Sequence, residues 1–192
     1  MTMVLTKYAN RIEVARLKEM IRAANDGSIN HIYLHWSAGW GDQAYDDYHV
    51  CVAPDGSIYL MADDLRTKLA HTWNRNSGAI GIAMLCCADA QANHGYDTDF
   101  GPEPPTQEQI EALAKVVQLI ADGLGISIDA NHIMTHCEAA ELDGYGPSTT
   151  CERWDLWYLP DYCGAQCDDA PKLVPGGDLI RGKTAWYSQH EE

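Results

Sequence analysis

"GAIGIAMLCC", residues 78–87, is a run of apolar and small residues with no charge and no polar alternation. A strand with one wet face alternates apolar and polar, whereas an uninterrupted run of this length reads as a strand buried on both faces. Such a strand needs cover above and below, so the sequence predicts an α/β fold in which a small mixed central sheet lies between helices. The neighbouring segments agree. "INHIYLHW" (residues 29–36) reads as a second strand, and "YHVCVAPDGSIYLM" (residues 48–61) as a hairpin around Pro54-Asp55-Gly56, a triplet suited to a tight turn.

"RIEVARLKEMIRAAN" (residues 11–25) reads as a helix N-capped by Asn10, with Ile12, Ala15, Leu17, Met20, Ile21 and Ala24 on one face and Asp26-Gly27 ending it. A second helix, "QEQIEALAKVVQLIADGL" (residues 107–124), follows a capping box of Thr106 and Gln109, and Gly123 with Gly125 stops it. Residues 88–105 are rich in turn formers and read as a loop, and a short helix is expected near Arg153 in "RWDLWYL". The 192 residues suffice for a single domain, with residues 160–192 as an ordered, wrapping C-terminal extension.

Composition narrows the function. The formal charge of −15 argues against binding nucleic acid, which needs lysine and arginine to displace counterions, and it predicts repulsion from anionic lipid surfaces. No apolar run approaches a membrane span, so no membrane insertion is expected, and the N-terminal "MTMVLTKYANRIEV" lacks the apolar core of a signal peptide. Seven cysteines (51, 86, 87, 137, 151, 163 and 167) are too few for a disulfide scaffold of this size and include no C-x-x-C pair. Cys163 and Cys167 flank a short loop and are candidates to bridge.

The residues with chemical potential lie at strand ends and in loops. His35 ends an apolar strand just before the small-residue turn "SAG". His136 and Cys151 lie in "HIMTHCEAAELDGYGPSTTCERWDLW" (residues 132–157), each read as a loop residue. Two imidazoles and a thiolate with an open fourth position are a known type of catalytic zinc site, provided the fold brings them together.

The ordered landmarks "HIYLHWSAG", "DDYHVCVAPDGSIYL", "AHTWNRNSGAIGIAML", "PTQEQIEALAKVVQLI", "THCEAA" and "TTCERWDLW" resemble the type 2 zinc amidases, over about residues 29–159. That superfamily holds amidase-type phage lysozymes, bacterial N-acetylmuramoyl-L-alanine amidases and peptidoglycan recognition proteins. The resemblance implies Zn2+ held by His35, His136 and Cys151, with Asp143 as the rival third ligand and Asp155 capping the last helix. It places Tyr48 over the metal and Thr149 beside it as catalytic groups. His71, with Trp73, Asn74, Asn76 and Trp36, would line the substrate groove, while His49, on the opposite face of its strand from Tyr48, is read as structural. Two departures stand out: Ala83 occupies the place of a glutamate found in some members, and Thr149 that of a lysine two residues before the third ligand.

These readings imply hydrolysis of the N-acetylmuramoyl–L-alanine amide of peptidoglycan, with the muramyl peptide as partner. The tail "GGDLIRGKTAWY" is similar to the ends of some phage amidases. A phage enzyme is therefore expected, held in the host cytoplasm until released to the wall, or carried in the virion among tail proteins. The rival readings are a wall-binding module with little turnover and a thiol hydrolase using Cys137 or Cys151.

Overall fold

The computed structural model describes residues 3–4, 11–92, 94–150, 152–162 and 170–190. Along the chain run β1 (Met3–Val4), β2 (Arg11–Ile12), α1 (Val14–Ala24), β3 (His31–Trp36), β4 (Ala44–Tyr45), β5 (Val50–Val52), β6 (Ile58–Leu60), β7 (Ala79–Met84), α2 (Gln107–Leu124), β8 (Ile133–Thr135), α3 (His136–Asp143), β9 (Tyr158–Asp161), β10 (Lys172–Pro175) and α4 (Gly176–His190). Six strands form a mixed sheet in the order β2-β6-β5-β7-β3-β8. Strand β7 pairs parallel with β3 and β5, and β3 pairs parallel with β8. The β5–β6 and β2–β6 pairs are antiparallel. The fold is thus α/β with a mixed central sheet.

Strand β7 is buried along its whole length, as its sequence predicts. Its period of two sorts the side chains by size. Ile80, Ile82 and Met84 join Ile32, Leu34, Val50 and Val52 in a core completed by Leu17, Met20 and Ile21 of α1 and Ile110, Leu113 and Val117 of α2. Each fully buried side chain of this kind stabilises the fold by roughly 1.5–3 kcal/mol. Ala79, Gly81 and Ala83 point to the opposite face. Their small size leaves room there: a Cβ on Gly81 would overlap the His71 ring.

The hairpin forms as read, with Gly56 at a φ of +77° and the Asp55 carboxylate accepting from the Ser57 amide. Other expectations are corrected. Arg11 and Ile12 pair with Tyr59 and Ile58 as an edge strand, so α1 starts only at Val14, after Glu13 and not after Asn10, which lies outside the described residues. Strand pairing wins over helix propensity there, and Ala15 is exposed. Thr106 accepts from the Gln109 amide, but the Gln109 side chain donates instead to the carbonyls of Val52 and Leu85. Half a capping box therefore becomes a tie between α2 and the sheet. Gly125, at a φ of +70°, caps α2, while Gly123 lies inside the helix where a Cβ would strike Ile21. No helix starts near Arg153: residues 155–157 form a turn that leads into β9. Cys163 and Cys167 lie outside the described residues.

Candidate metal centre

Strand register builds the site. Leu34 pairs with Thr135 across the parallel β3–β8 ladder, so the residue that follows each in the chain, His35 or His136, stands beside the other. The ring centroids are 4.7 Å apart. His136 is not a loop residue, as the sequence reading had it. It is the first residue of α3, which begins where β8 ends. A full capping box fixes this junction: the Thr135 side chain accepts from the Glu138 amide at 3.1 Å, and the Thr135 amide donates to the Glu138 carboxylate at 2.9 Å.

The third group is Asp155. Its Oδ2 lies 3.2 Å from His35 Nδ1 and its Oδ1 3.4 Å from His136 Nδ1. One ligand atom from each of these three residues falls within 4.8 Å of the others. The expectation that Asp155 caps a last helix is corrected, since it sits in an irregular turn. That turn is anchored by the Trp157 amide on the Trp154 carbonyl at 3.0 Å. Within it, next to Asp155, buried Leu156 has a φ of +57°, a conformation that non-glycine residues adopt only where surrounding structure enforces it.

The donor set suits a divalent cation such as zinc, which takes imidazole nitrogen and carboxylate oxygen. The outer nitrogens are also engaged: His35 Nε2 lies 3.3 Å from Thr72 Oγ1, and His136 Nε2 lies 3.5 Å from the Tyr145 hydroxyl. Partners of this kind fix the tautomer and orientation of a metal-binding imidazole. Burial pushes the His35 pKa down to about 4, so its ring is neutral near pH 7, the form that offers a lone pair. Burial acts to raise the Asp155 pKa, but His136 and His35 beside it outweigh that and hold it well below the usual carboxylate range.

A cleft of about 440 Å³ opens over these groups, lined among others by Tyr48, His71, His136, Arg153 and Asp155. The Tyr48 ring lies 5.0 Å from that of His35. Burial, and next the negative charge of Asp155, push its phenol pKa far up, so it is a hydrogen-bond donor at any working pH. His71 lines the cleft, although its side chain is buried. Its Nδ1 lies 3.0 Å from Thr72 Oγ1, and among the described residues its Nε2 has no hydrogen-bond partner. Burial pushes its pKa down to about 2.

Other predicted residues stand elsewhere. Asp143 is held by Arg75 through contacts of 2.6 and 2.7 Å, which accounts for its carboxylate as an ion-pair partner. Thr149 is exposed, does not line the cleft, and donates to the Gly146 carbonyl at 3.0 Å. Asn76 accepts from the Thr72 amide and so shapes the loop. Trp73 is 61% exposed and meets Tyr145 edge-on. With Asn74, Arg75 and Asp143 it borders a separate shallow pocket. Trp36 touches the cleft, but its ring is buried edge-on against Phe100 and Trp154. His49 is fully buried between the Thr67 carbonyl and the Gly81 amide, consistent with a structural role. Cys151 lies outside the described residues.

Asp155, Arg153, Thr72 and Tyr145 escaped the sequence reading as site residues. A signal for two of them was present: "RWD" sets a cation two residues before a carboxylate, the spacing at which some relatives place a lysine before the third ligand.

The N-acetylmuramoyl-L-alanine amidase family (Amidase_2) matches residues 23–154. No curated protein sequence matches the chain. Among solved structures, an endolysin N-acetylmuramoyl-L-alanine amidase from Clostridium intestinale is 17% identical, with a TM-score of 0.41 over 57% of this chain and 69% of its own. An endolysin from a Thermus scotoductus bacteriophage is 18% identical, with a TM-score of 0.43 over 57% and 71%. PGRP-Hd from Alvinella pompejana is 18% identical, with a TM-score of 0.39 over 58% and 74%. These likenesses are partial, and the family match, which spans more than half of the sequence, carries the assignment by itself: the chain belongs to the N-acetylmuramoyl-L-alanine amidase family of enzymes.

Proposed function

We propose that the protein is a zinc-dependent amidase that cleaves the bond between the lactyl group of N-acetylmuramic acid and L-alanine in peptidoglycan. The observation that carries this reading is the convergence of buried His35 with His136 and Asp155, which line an open cleft, in a chain of this family. His35 and His136 would hold the ion, with Asp155 as the third donor that the geometry favours and Cys151 as the competing donor that the resemblance implies. When bound, the ion supplies Lewis acidity toward the amide carbonyl and toward water.

The chain's own groups do the rest. Tyr48 donates to the oxygen that gains negative charge as the amide carbon becomes tetrahedral, an interaction that strengthens toward the transition state. The exposed Arg153 guanidinium, at the cleft wall, adds positive charge near the same oxygen or binds a carboxylate of the stem peptide. Thr72 and Tyr145 hold the two imidazoles in orientation. His71, Trp73 and Asn74 would contact the muramyl peptide, and Thr149 would act only after a local shift toward the cleft. The similarity of the tail to phage amidases supports a phage-encoded lytic enzyme, released from the host cytoplasm or docked on virion tail proteins.

The test uses purified cell wall. Release of free amino groups without reducing sugar, lost on thorough chelation and restored by Zn2+, supports the reading. Activity that survives chelation refutes the zinc mechanism, and a metal-free protein that sediments with wall without cleaving it is a binding module instead.

A further inference from the structure

Helix α4 lies beyond the family match, which ends at residue 154, yet its first turns touch the segments that carry His136 and Asp155. Arg181, whose side chain is 11% exposed, donates from Nη1 to Glu138 Oε2 and from Nη2 to Glu138 Oε1, both at 2.8 Å, and from Nη1 to the Ile133 carbonyl at 3.0 Å. Glu138 is the residue whose carboxylate closes the capping box at the β8–α3 junction, two positions after His136. Gly177 packs so closely on the same carboxylate that a Cβ there would overlap it. One residue earlier, the Gly176 amide donates to the Trp157 carbonyl at 3.1 Å, and a Cβ on Gly176 would strike the Leu156 carbonyl. Leu156 and Trp157 belong to the turn that carries Asp155.

The later turns of α4 are fastened separately to α2. Lys183 and Tyr187 both reach Glu111 at 2.6 Å, and Ser188 reaches Asp122 at 3.0 Å. The helix is therefore anchored to α2 by its later turns and makes bidentate, charge-assisted contact through Arg181, the strongest type of hydrogen bond a side chain offers.

We infer that the Gly176-Gly177 dipeptide and Arg181 form a clamp that holds the helix start bearing His136 and the turn bearing Asp155 in mutual register, which makes Arg181 a positioning residue for the metal centre. The inference rests on the metal reading above. The clamp works through backbone placement: it fixes where α3 begins and where the 155–157 turn sits, and thereby the separation of two donors that come from distant parts of the chain. Because an imidazole and a carboxylate must meet one small ion within a few tenths of an ångström, a loosened junction costs metal affinity before it costs the fold.

The experiment compares full-length wild type with Arg181→Met, Gly177→Ala and, as a control at the contact of α4 with α2, Tyr187→Phe. Zn2+ affinity is read by competition with a chromogenic chelator, and local opening by amide hydrogen exchange of the metal-free proteins. Arg181→Met and Gly177→Ala should each weaken Zn2+ binding by about tenfold or more and speed exchange at residues 135–140. Tyr187→Phe should lower the melting temperature and leave Zn2+ affinity within about twofold of wild type. A folded Arg181→Met protein with unchanged affinity or unchanged exchange at residues 135–140 overturns the clamp. If Arg181→Met does not fold, Arg181→Lys is judged by the same criteria: an intermediate loss supports the clamp and none overturns it. A wild type that binds no Zn2+ overturns the metal reading, and exchange alone then decides the clamp.

Discussion

His35 Nδ1 and Asp155 Oδ2 lie 3.2 Å apart although 120 residues of chain separate them. A largely buried carboxylate facing two buried imidazoles is costly to assemble unless a cation or a proton sits among them. Replacing Asp155 with Asn keeps the shape and removes the charge. Asp155→Asn should lose metal on dialysis, with amide hydrolysis falling by more than the roughly 10–100-fold that loss of an outer-shell partner costs. Cys151→Ser should retain most of both. Metal content of the two variants beside wild type checks this, and the reverse order of loss would assign the third ligand to Cys151.

Tyr48→Phe removes one hydroxyl from the cleft and little packing. If the phenol acts on the developing oxyanion, kcat should fall by about 10²–10³-fold while KM stays nearly constant. A fall confined to KM would make Tyr48 a substrate-binding group only. Steady-state kinetics on a soluble muramyl peptide separate the two.

Thr72→Val keeps the shape of the threonine but deletes the oxygen between His35 Nε2 and His71 Nδ1. Zn2+ affinity should drop by roughly 10–100-fold, with Thr72→Ser close to wild type. Equal affinity in both variants would show that the hydroxyl does not orient His35.

Gly81→Ala should destabilise the protein by about 1–3 kcal/mol, because the new methyl group meets the His71 ring on a packed face of the sheet. Combining it with His71→Ala should recover much of that loss, as expected for two residues in direct contact. Chemical denaturation of the single and double variants measures it.

Acid should unfold the metal-free protein earlier than its surface charges alone suggest. An unfolded histidine titrates near 6.5, whereas burial lowers the pKa of His49 and brings His35 to about 4 and His71 to about 2. From pH 6.5 downward the unfolded chain therefore takes up protons that the folded chain refuses. The stabilisation is complete above pH 6.5 and is lost progressively as pH falls toward 4. Asp155, also lowered, extends the loss below its ordinary value of 3.8. Urea midpoints at pH 7.5, 6 and 5 should decline in that order, and a flat series would refute it.

The sheet was legible because its signals are local. The unbroken run in β7 and the Pro54-Asp55-Gly56 turn each bias their own backbone, and the two main helices carry their apolar stripes. What escaped depends on partners far along the chain. Arg11 and Ile12 fit a helix by pattern, and only the edge of β6 makes them a strand. Asp155 near a sequence that resembles a helix start reads as a cap, and only the turn at Leu156 aims it at two histidines. Thr72, Tyr145 and Arg181 carry no signal until the fold puts an imidazole or a carboxylate beside them. His35 and His136 were found by resemblance, and the register of β3 against β8 explains why that pairing holds.

That register has a consequence for how such a centre can change over time. Two of the candidate donors stand at the ends of neighbouring hydrogen-bonded strands, where a shift of one residue would turn every side chain of the ladder to the other face. The remaining donor arrives on a short irregular stretch whose path is set by a few contacts. Chemistry at that corner is therefore exchangeable, carboxylate for thiolate or the reverse, without disturbing the scaffold that supplies the imidazoles.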